Sequence, residues 1–245
     1  MIKCAFEVPI AHLTEVEEYQ DFYFCIATSL VKYPEMLQYY KTKAKGDKLL
    51  MLDNGAYEAH AKGTPSKILT PKELLELVLE VHPHVVWSPD KLFDRQVTED
   101  LSEEFYDLWH KYVIRKGIYD IQLGFIPQGR TADDIIASLT KYGYRYSWIG
   151  LSFLNDRASV LRLLGRRILA YPNIHMLGLQ DVEEMLLWPR YIRYVDTSKP
   201  IKAAFLGKML TKLQRGEGLL LPTDIVKDRS LLYANLISFR KACAL

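Results

Sequence analysis

Leu49-Leu50-Met51-Leu52-Asp53-Asn54-Gly55-Ala56-Tyr57-Glu58 is the stretch on which the reading of this chain turns. Four apolar residues run straight into an acid and then into a small turn holding a glycine. An unbroken apolar run of this length, stopping at Asp-Asn-Gly, predicts a buried parallel strand that ends in a turn. A carboxylate at the carboxyl end of such a strand stands where α/β proteins keep their chemistry. Asp and Asn are also ordinary turn residues, so this stretch alone equally allows Asp53 to be a cap. Far downstream, Tyr194-Val195-Asp196-Thr197-Ser198-Lys199-Pro200 is built the same way. Two acids ending two apolar strands of one fold point to a shared site.

Working outward, the same rhythm covers the chain. Before Asp53, strands are expected in Met1 to Pro9 and in Phe22 to Ala27, with a short helical piece over Thr14 to Tyr19 and a helix from Pro34 to Lys45. After it, Thr70 as N-cap and Pro71 at the first position predict a helix through Val81, with apolar residues 74, 75, 78 and 81 on one face. Further strands are expected at His84–Asp90, Ile121–Gly129, Ser147–Ser152, Asn173–Leu179 and Ile192–Asp196. The helices expected between and after them run from Ser102 to about Arg115, Thr131 to near Gly143, Arg157 to Leu169, Asp181 to Trp188, on through about Gln214, and Arg229 to Ala244. Eight short apolar strands, each followed by a helical segment, fit a single-domain (β/α)8 TIM barrel over residues 1–245. A doubly wound open sheet is the alternative, but no Gly-x-Gly-x-x-Gly follows any strand and no Gly-Lys-Ser/Thr loop occurs.

At 245 residues, 49% hydrophobic and 25% charged, the composition is that of an ordinary globular chain with ample core. No apolar run approaches the roughly 18 residues that span a bilayer. The N-terminus lacks a signal-peptide layout. Three cysteines (Cys4, Cys25 and Cys243), odd in number and far apart in sequence, suggest neither a disulfide framework nor a metal site. The setting expected from this is cytoplasmic. The net charge of +2 divides unevenly: residues 141–245 carry +9 and the remainder −7. Arg162, Arg166, Arg167, Arg190, Arg193, Lys199, Lys202, Lys208, Lys212 and Arg215 make the second part basic. Such a balance marks either a polyanion-binding face or the solvated outer faces of helices.

In a barrel the active site is built from loops at the carboxyl ends of the strands. The candidates there are Asp53, Asp90, Asp94, Gln128, the Gly150-Leu151 backbone, His175 and Asp196. The histidines are scattered and form no metal cluster with acids at ligand spacing. His175, inside an apolar strand, reads first as a core residue, and Ser152 lacks the Gly-x-Ser-x-Gly setting of an acyl-transfer nucleophile. Paired carboxylates are tools of glycosyl transfer, one attacking an anomeric carbon while the other handles a proton. Aspartate, glutamine and backbone groups also suit the polar edge of a purine-like base, and Tyr57 could stack on it or simply pack.

The ordered motifs Leu-Asp-Asn-Gly-Ala-Tyr-Glu, Ser-Pro-Asp, Gly-Phe-Ile-Pro-Gln-Gly, Ile-Gly-Leu-Ser, His-Met-Leu-Gly-Leu and Val-Asp-Thr-Ser-Lys-Pro resemble the tRNA-guanine transglycosylase superfamily over roughly residues 48 to 200. Each motif is weak, and their shared order is the signal. The resemblance implies Asp196 as the nucleophile on C1′ and Asp53 as the acid that assists proton transfer and holds the base. It implies Asp90 as the base-recognising aspartate, with Asp94 its rival, and Gln128 with Gly129 as the amide motif at the base. Gly150 and Leu151 then read the base edge through their backbone, and Tyr57 packs against it.

The zinc subdomain of the tRNA-modifying members has no counterpart, since the region from about Lys202 onward has one cysteine and no histidine. Ser198-Lys199-Pro200 stands where those members carry tRNA-contacting arginines. A zinc-free, shortened chain resembles the DNA-modifying branch of phages and genomic islands, which inserts 7-deazaguanine derivatives in place of guanine. The resemblance therefore implies a DNA base exchange using a base such as 7-cyano-7-deazaguanine, with no cofactor, no membrane and accessory proteins allowed. Arg193, Lys199 and Lys202 are expected to meet phosphates, in the host cytoplasm if the gene is a phage's. The rivals are the same chemistry on tRNA, a silent nucleic-acid-binding barrel, and an unrelated barrel hydrolase.

Overall fold

Strands buried on both faces are written in sequence as unbroken apolar runs, and the computed structural model, which describes residues 1–61, 68–179, 182–212 and 220–244, builds eight of them. They are β1 (Lys3–Phe6), β2 (Tyr23–Ile26), β3 (Leu50–Asp53), β4 (Val85–Trp87), β5 (Gln122–Phe125), β6 (Trp148–Ser152), β7 (Ile174–Leu177) and β8 (Tyr194–Thr197). One sheet holds them in the order β1-β8-β7-β6-β5-β4-β3-β2. The pairings of β1 with β8, β3 with β4, β4 with β5 and β5 with β6 are all parallel. The α-helices among the described residues are α1 (Ala27–Lys32), α2 (Pro34–Lys43), α3 (Ala56–Ala61), α4 (Pro71–Val81), α5 (Arg95–Tyr112), α6 (Ala132–Tyr142), α7 (Arg157–Leu164), α8 (Lys199–Phe205) and α9 (Arg229–Cys243). Parallel strands alternating with helical segments in this order are the (β/α)8 barrel fold that the sequence predicts. The chain divides into two compact units, Met1–Phe24 with Met176–Leu245, and Cys25–His175. Both boundaries fall inside strands, β2 and β7, rather than in a linker.

Within Cys25–His175 the core is made by the strand residues themselves: Leu50, Met51, Leu52, Val85, Val86 and Trp87 are fully buried. Register here depends on a glycine. Gly124 stands opposite Trp87 across β4 and β5, and a Cβ on it would lie 2.4 Å from the Trp87 ring. Only a residue without a side chain lets that indole lie across the neighbouring strand. The outer helices follow their caps. Thr70 accepts from the Glu73 N–H and Glu73 reaches back to the Thr70 N–H, and Thr131 with Asp134 repeats this box at α6. Leu74, Leu75, Val78 and Val81 of α4 are buried, as their spacing predicts.

In the other unit α8 packs against α9, and α9 also meets β1. Phe239 meets Phe6 edge-on at 5.7 Å. Buried Asn235 donates to the carbonyls of Pro200 and Lys208 and accepts the Leu210 N–H at 2.8 Å, which ties the end of α8 to α9. No helix among the described residues is long and apolar enough to cross a membrane.

The departures from sequence expectation have physical causes. α5 begins at Arg95, not Ser102, because its buried stripe is polar at first: Thr98, Glu99 and Ser102 precede Phe105. An apolar-period reading starts only where the apolar residues do. α1 and α3 are too short to show a period. α7 ends at Leu164, where Gly165 takes a positive φ of 49°, and the chain continues as a 3-10 helix to Ala170. Val182–Leu187 is likewise 3-10. α8 stops at Phe205 before Gly207, whose φ is 67°. Asp181, the expected helix end at Gln214, and Arg215 lie outside the described residues.

Candidate functional site

β3 delivers Asp53 and Asn54 to the end of the sheet, and the turn after them is dictated by steric limits. Gly55 has a φ of 85°, and a Cβ there would meet the Thr28 hydroxyl at 2.5 Å. Only glycine satisfies both demands. Asp53 Oδ2 accepts the Gly55 N–H at 2.9 Å, closing an Asx turn. Asn54 is drawn inward instead. Its Oδ1 accepts the Ala56 N–H at 2.9 Å, and its Nδ2 donates to the Ser88 carbonyl at 3.2 Å and to Asp90 Oδ1 at 2.6 Å.

Asp90 sits three residues past β4, buried, with its two oxygens taken by two different amides. Asn54 holds Oδ1, and Gln128 Nε2 donates to Oδ2 at 2.6 Å. A carboxylate accepts only, so these contacts set the orientation of both amides. That orientation turns Gln128 Oε1 away from Asp90, and it is a buried acceptor with no partner among the described residues. Burial pushes the Asp90 carboxyl up to about 6, against the pull of the two amide donors. Among the described residues, no cation is one of the groups that set its titration. The result is a buried acid beside a buried, unpartnered amide oxygen, both held by neutral groups among the described residues. Such a place favours a ligand presenting several N–H donors.

The other sequence candidates take varied places. Tyr57, on α3, is half-buried and meets the Phe153 ring edge-on at 5.0 Å. Asp94 caps α5 by accepting the Val97 N–H at 3.1 Å, so its carboxylate serves the helix start. Between Asp90 and Asp94, Phe93 holds a φ of 61°, unusual for an aromatic residue, with its ring 5.9 Å from that of His60. Gly129 is demanded by packing, since a Cβ on it would fall 2.3 Å from the Asp134 Cβ where that residue closes its capping box. Gly150 and Leu151 are buried in β6, and the Leu151 carbonyl accepts from Arg157 at 3.3 Å. His175 is fully buried with its ring 5.6 Å from Trp87, the core position its apolar strand indicates.

In the unit Met1–Phe24 with Met176–Leu245, β8 carries Asp196, buried, whose Oδ1 accepts the Gly178 N–H at 3.1 Å. Gly178 has a φ of 66°. The bond orients the carboxylate at the end of its strand. Lys199 opens α8 with its N–H bonded to Thr197 Oγ1 at 3.1 Å, Lys202 lies one turn on, and Arg193 is exposed before β8.

Asn54 and Phe153 are the residues sequence reasoning passed over. Asn54 looks like a turn residue because it is one; its second role needs Ser88 and Asp90, more than thirty positions away. Phe153 carries no sequence signal beyond its place just past a strand. No protein-family model matches the chain, and no curated protein sequence matches it.

Proposed function

We propose that this chain is a base-exchange transglycosylase that replaces guanine in DNA with a 7-deazaguanine derivative through a covalent glycosyl intermediate on Asp196. The observation that carries the reading is the buried Asn54–Asp90–Gln128 network with its open acceptor. Guanine and 7-deazaguanine present an N–H and an exocyclic amino group on one edge, the donors such acceptors select. Adenine carries no ring N–H on that edge, so it would leave the Asp90 carboxylate with its two amide donors alone and bring it no neutralising donor, which costs more than a lost contact.

In the proposed reaction an Asp196 oxygen attacks C1′ as the bond from C1′ to N9 breaks. The electron pair of that bond leaves with guanine, which takes up a proton. The 7-deaza base enters, gives up its ring N–H proton, and forms its bond to C1′ as the ester to Asp196 breaks. Asp53 is assigned the proton transfers. Asp90, Gln128, the Gly150-Leu151 backbone and Tyr57 are assigned to the base, and Arg193, Lys199 and Lys202 to phosphates. Neither a metal nor a redox cofactor is required, and the target nucleotide must leave its stack. The zinc-free sequence after Asp196 favours DNA over tRNA.

The test is incubation with radiolabelled guanine and either duplex DNA or tRNA, with and without 7-cyano-7-deazaguanine. Label entering DNA alone supports the proposal. Label entering tRNA keeps the chemistry and overturns the substrate. Binding without label or adduct makes the chain a silent binder.

A further inference from the structure

Among the described residues, two that are not glycine hold a positive φ, His82 at 55° and Phe93 at 61°. His82 ends α4, its N–H bonded to the Val78 carbonyl, and left-handed backbone is ordinary at such a place. Phe93 ends no helix. It is the third residue of the turn over 91–94, closed by the Asp94 N–H on the Lys91 carbonyl at 3.1 Å. A positive φ at that third place suits glycine or asparagine, and a bulky ring there is strained. The turn cannot relax, because both its ends are tied. Thr98 Oγ1 accepts the Lys91 N–H at 2.9 Å and donates to the Lys91 carbonyl at 3.1 Å, while Asp94 caps α5. Burial does not offset the strain: Phe93 is 36% exposed, and the ring beside it, His60 of α3 at 5.9 Å, is exposed too. Strained residues held this firmly cluster where a side chain is used.

We propose that Phe93, buttressed by His60, is a stacking platform for the nucleotide next to the one whose base is exchanged. The proposal rests on the reading of this chain as a transglycosylase acting on a polynucleotide, and adds to it a subsite outside the Asn54–Asp90–Gln128 network. Phe93 stands three residues past Asp90, a span of at most about 11 Å. With the exchanged base seated at Asp90, the next base of an extruded strand comes within reach of that ring. Every base offers a flat π face, so an exposed ring takes it whatever its identity. Lys91, exposed two residues before Phe93, supplies the charge that the backbone of such a strand seeks. The His60 ring, set at 72° to that of Phe93, supports one side of it. A planar partner also accounts for an aromatic residue at this turn. Glycine or asparagine would ease the backbone, and neither offers the face of a ring.

The test measures binding of the full-length chain to a fluorescein-labelled single-stranded oligonucleotide with one guanine, by anisotropy at one salt concentration. Phe93→Gly should weaken binding by about tenfold, while Phe93→Trp retains it. An abasic position on one side of the guanine should weaken the parent to the same extent and remove the difference between parent and Phe93→Gly. Affinity for free guanine, measured by calorimetry, should fall far less than affinity for the oligonucleotide. Phe93→Ala should melt roughly 3 °C below Phe93→Gly, since it loses the ring and keeps the strain. Equal binding by parent and Phe93→Gly, a difference that survives removal of either neighbouring base, an equal loss on free guanine, or no binding by the parent would each overturn the platform. Equal melting of the alanine and glycine variants would overturn the strain from which it is argued. Binding that depends on Phe93 without incorporation of labelled guanine would instead overturn the exchange reading and leave the platform standing.

Discussion

Asp90 and Glu99 are both 2% exposed and lie in the same unit, close in sequence, yet their partners differ in kind. Glu99 is surrounded by donors that carry charge: Arg95 at 2.6 Å and Lys141 at 3.2 Å, with the Ser138 hydroxyl at 2.7 Å. Burial alone would raise its carboxyl, but these donors outweigh it and hold it below the usual carboxylate range. Asp90 has only amides, and burial wins, up to about 6. Glu99 is thus an anchor joining α5 to α6, complete as it stands. Asp90 is a buried acid met only by amides among the described residues, and the proposed function assigns its neutralising partner to the base. Burial of an acid alone does not single out a candidate site; burial with no counter-charge among the described residues, beside an unpartnered acceptor, is what singles out Asp90.

The largest effect that could break this contrast is on activity. Asp90→Ala should lower kcat/KM for base exchange by about 10³-fold or more, since the site then lacks the anion that pairs with the base donors. Glu99→Ala should leave kcat/KM, corrected for folded fraction, within a few-fold. Equal losses in steady-state assays of the two variants would erase the distinction.

Stability should run the other way. Glu99→Gln should cost about 2 kcal/mol in urea unfolding at pH 7, because Ser138 and the α5–α6 junction lose their charged acceptor while Arg95 and Lys141 can still reach water. Asp90→Asn should be at least as stable as the parent at that pH. A carboxyl raised from 3.8 to about 6 costs roughly 3 kcal/mol when ionised in the fold, and Gln128 can turn to accept from the new amide. A loss of 2 kcal/mol or more in Asp90→Asn would mean that this acid, too, is an anchor.

The pH dependences sharpen the point because their signs oppose. The Asp90 carboxyl is raised in the fold, so its contribution to stability is fully present below about 3.8 and lost as pH rises through about 6. Glu99 is lowered, so its contribution is present above its ordinary value of 4.5 and lost as pH falls. Unfolding curves of the parent minus each variant, taken from pH 4 to 7.5, should therefore slope in opposite directions. Guanine affinity, measured by calorimetry, should fall about tenfold per unit below pH 6 as Asp90 takes up its proton. The smallest expected change is from Asn54→Ala, which removes one donor to Asp90. It should weaken guanine binding by about tenfold and move the midpoint of that pH profile upward. A profile unmoved by Asn54→Ala would separate Asn54 from the site.

Of the fold, what acts over a few residues was legible. The apolar run Leu50–Leu52 marks β3, and Thr70-Pro71-Lys72-Glu73 marks the start of α4 to the residue. Where the local signal and the buried surface part company, legibility ends, as in α5, whose first buried positions are Thr98, Glu99 and Ser102. Of the candidate residues, Asp53, Asp90, Gln128 and Asp196 could be named because each stands at or just past the carboxyl end of an apolar strand.

By itself, then, the sequence determined the strands, most helix starts and the residues that stand at strand ends, because period, caps and turn chemistry reach no further than four or so positions. The tertiary structure alone decided which acid is answered by a cation and which only by amides. It made Asn54 a partner of Asp90 rather than only a turn residue. The reason is that desolvation and counter-charge belong to neighbours in space, and in the parallel sheet those neighbours come from strands separated by an entire helix.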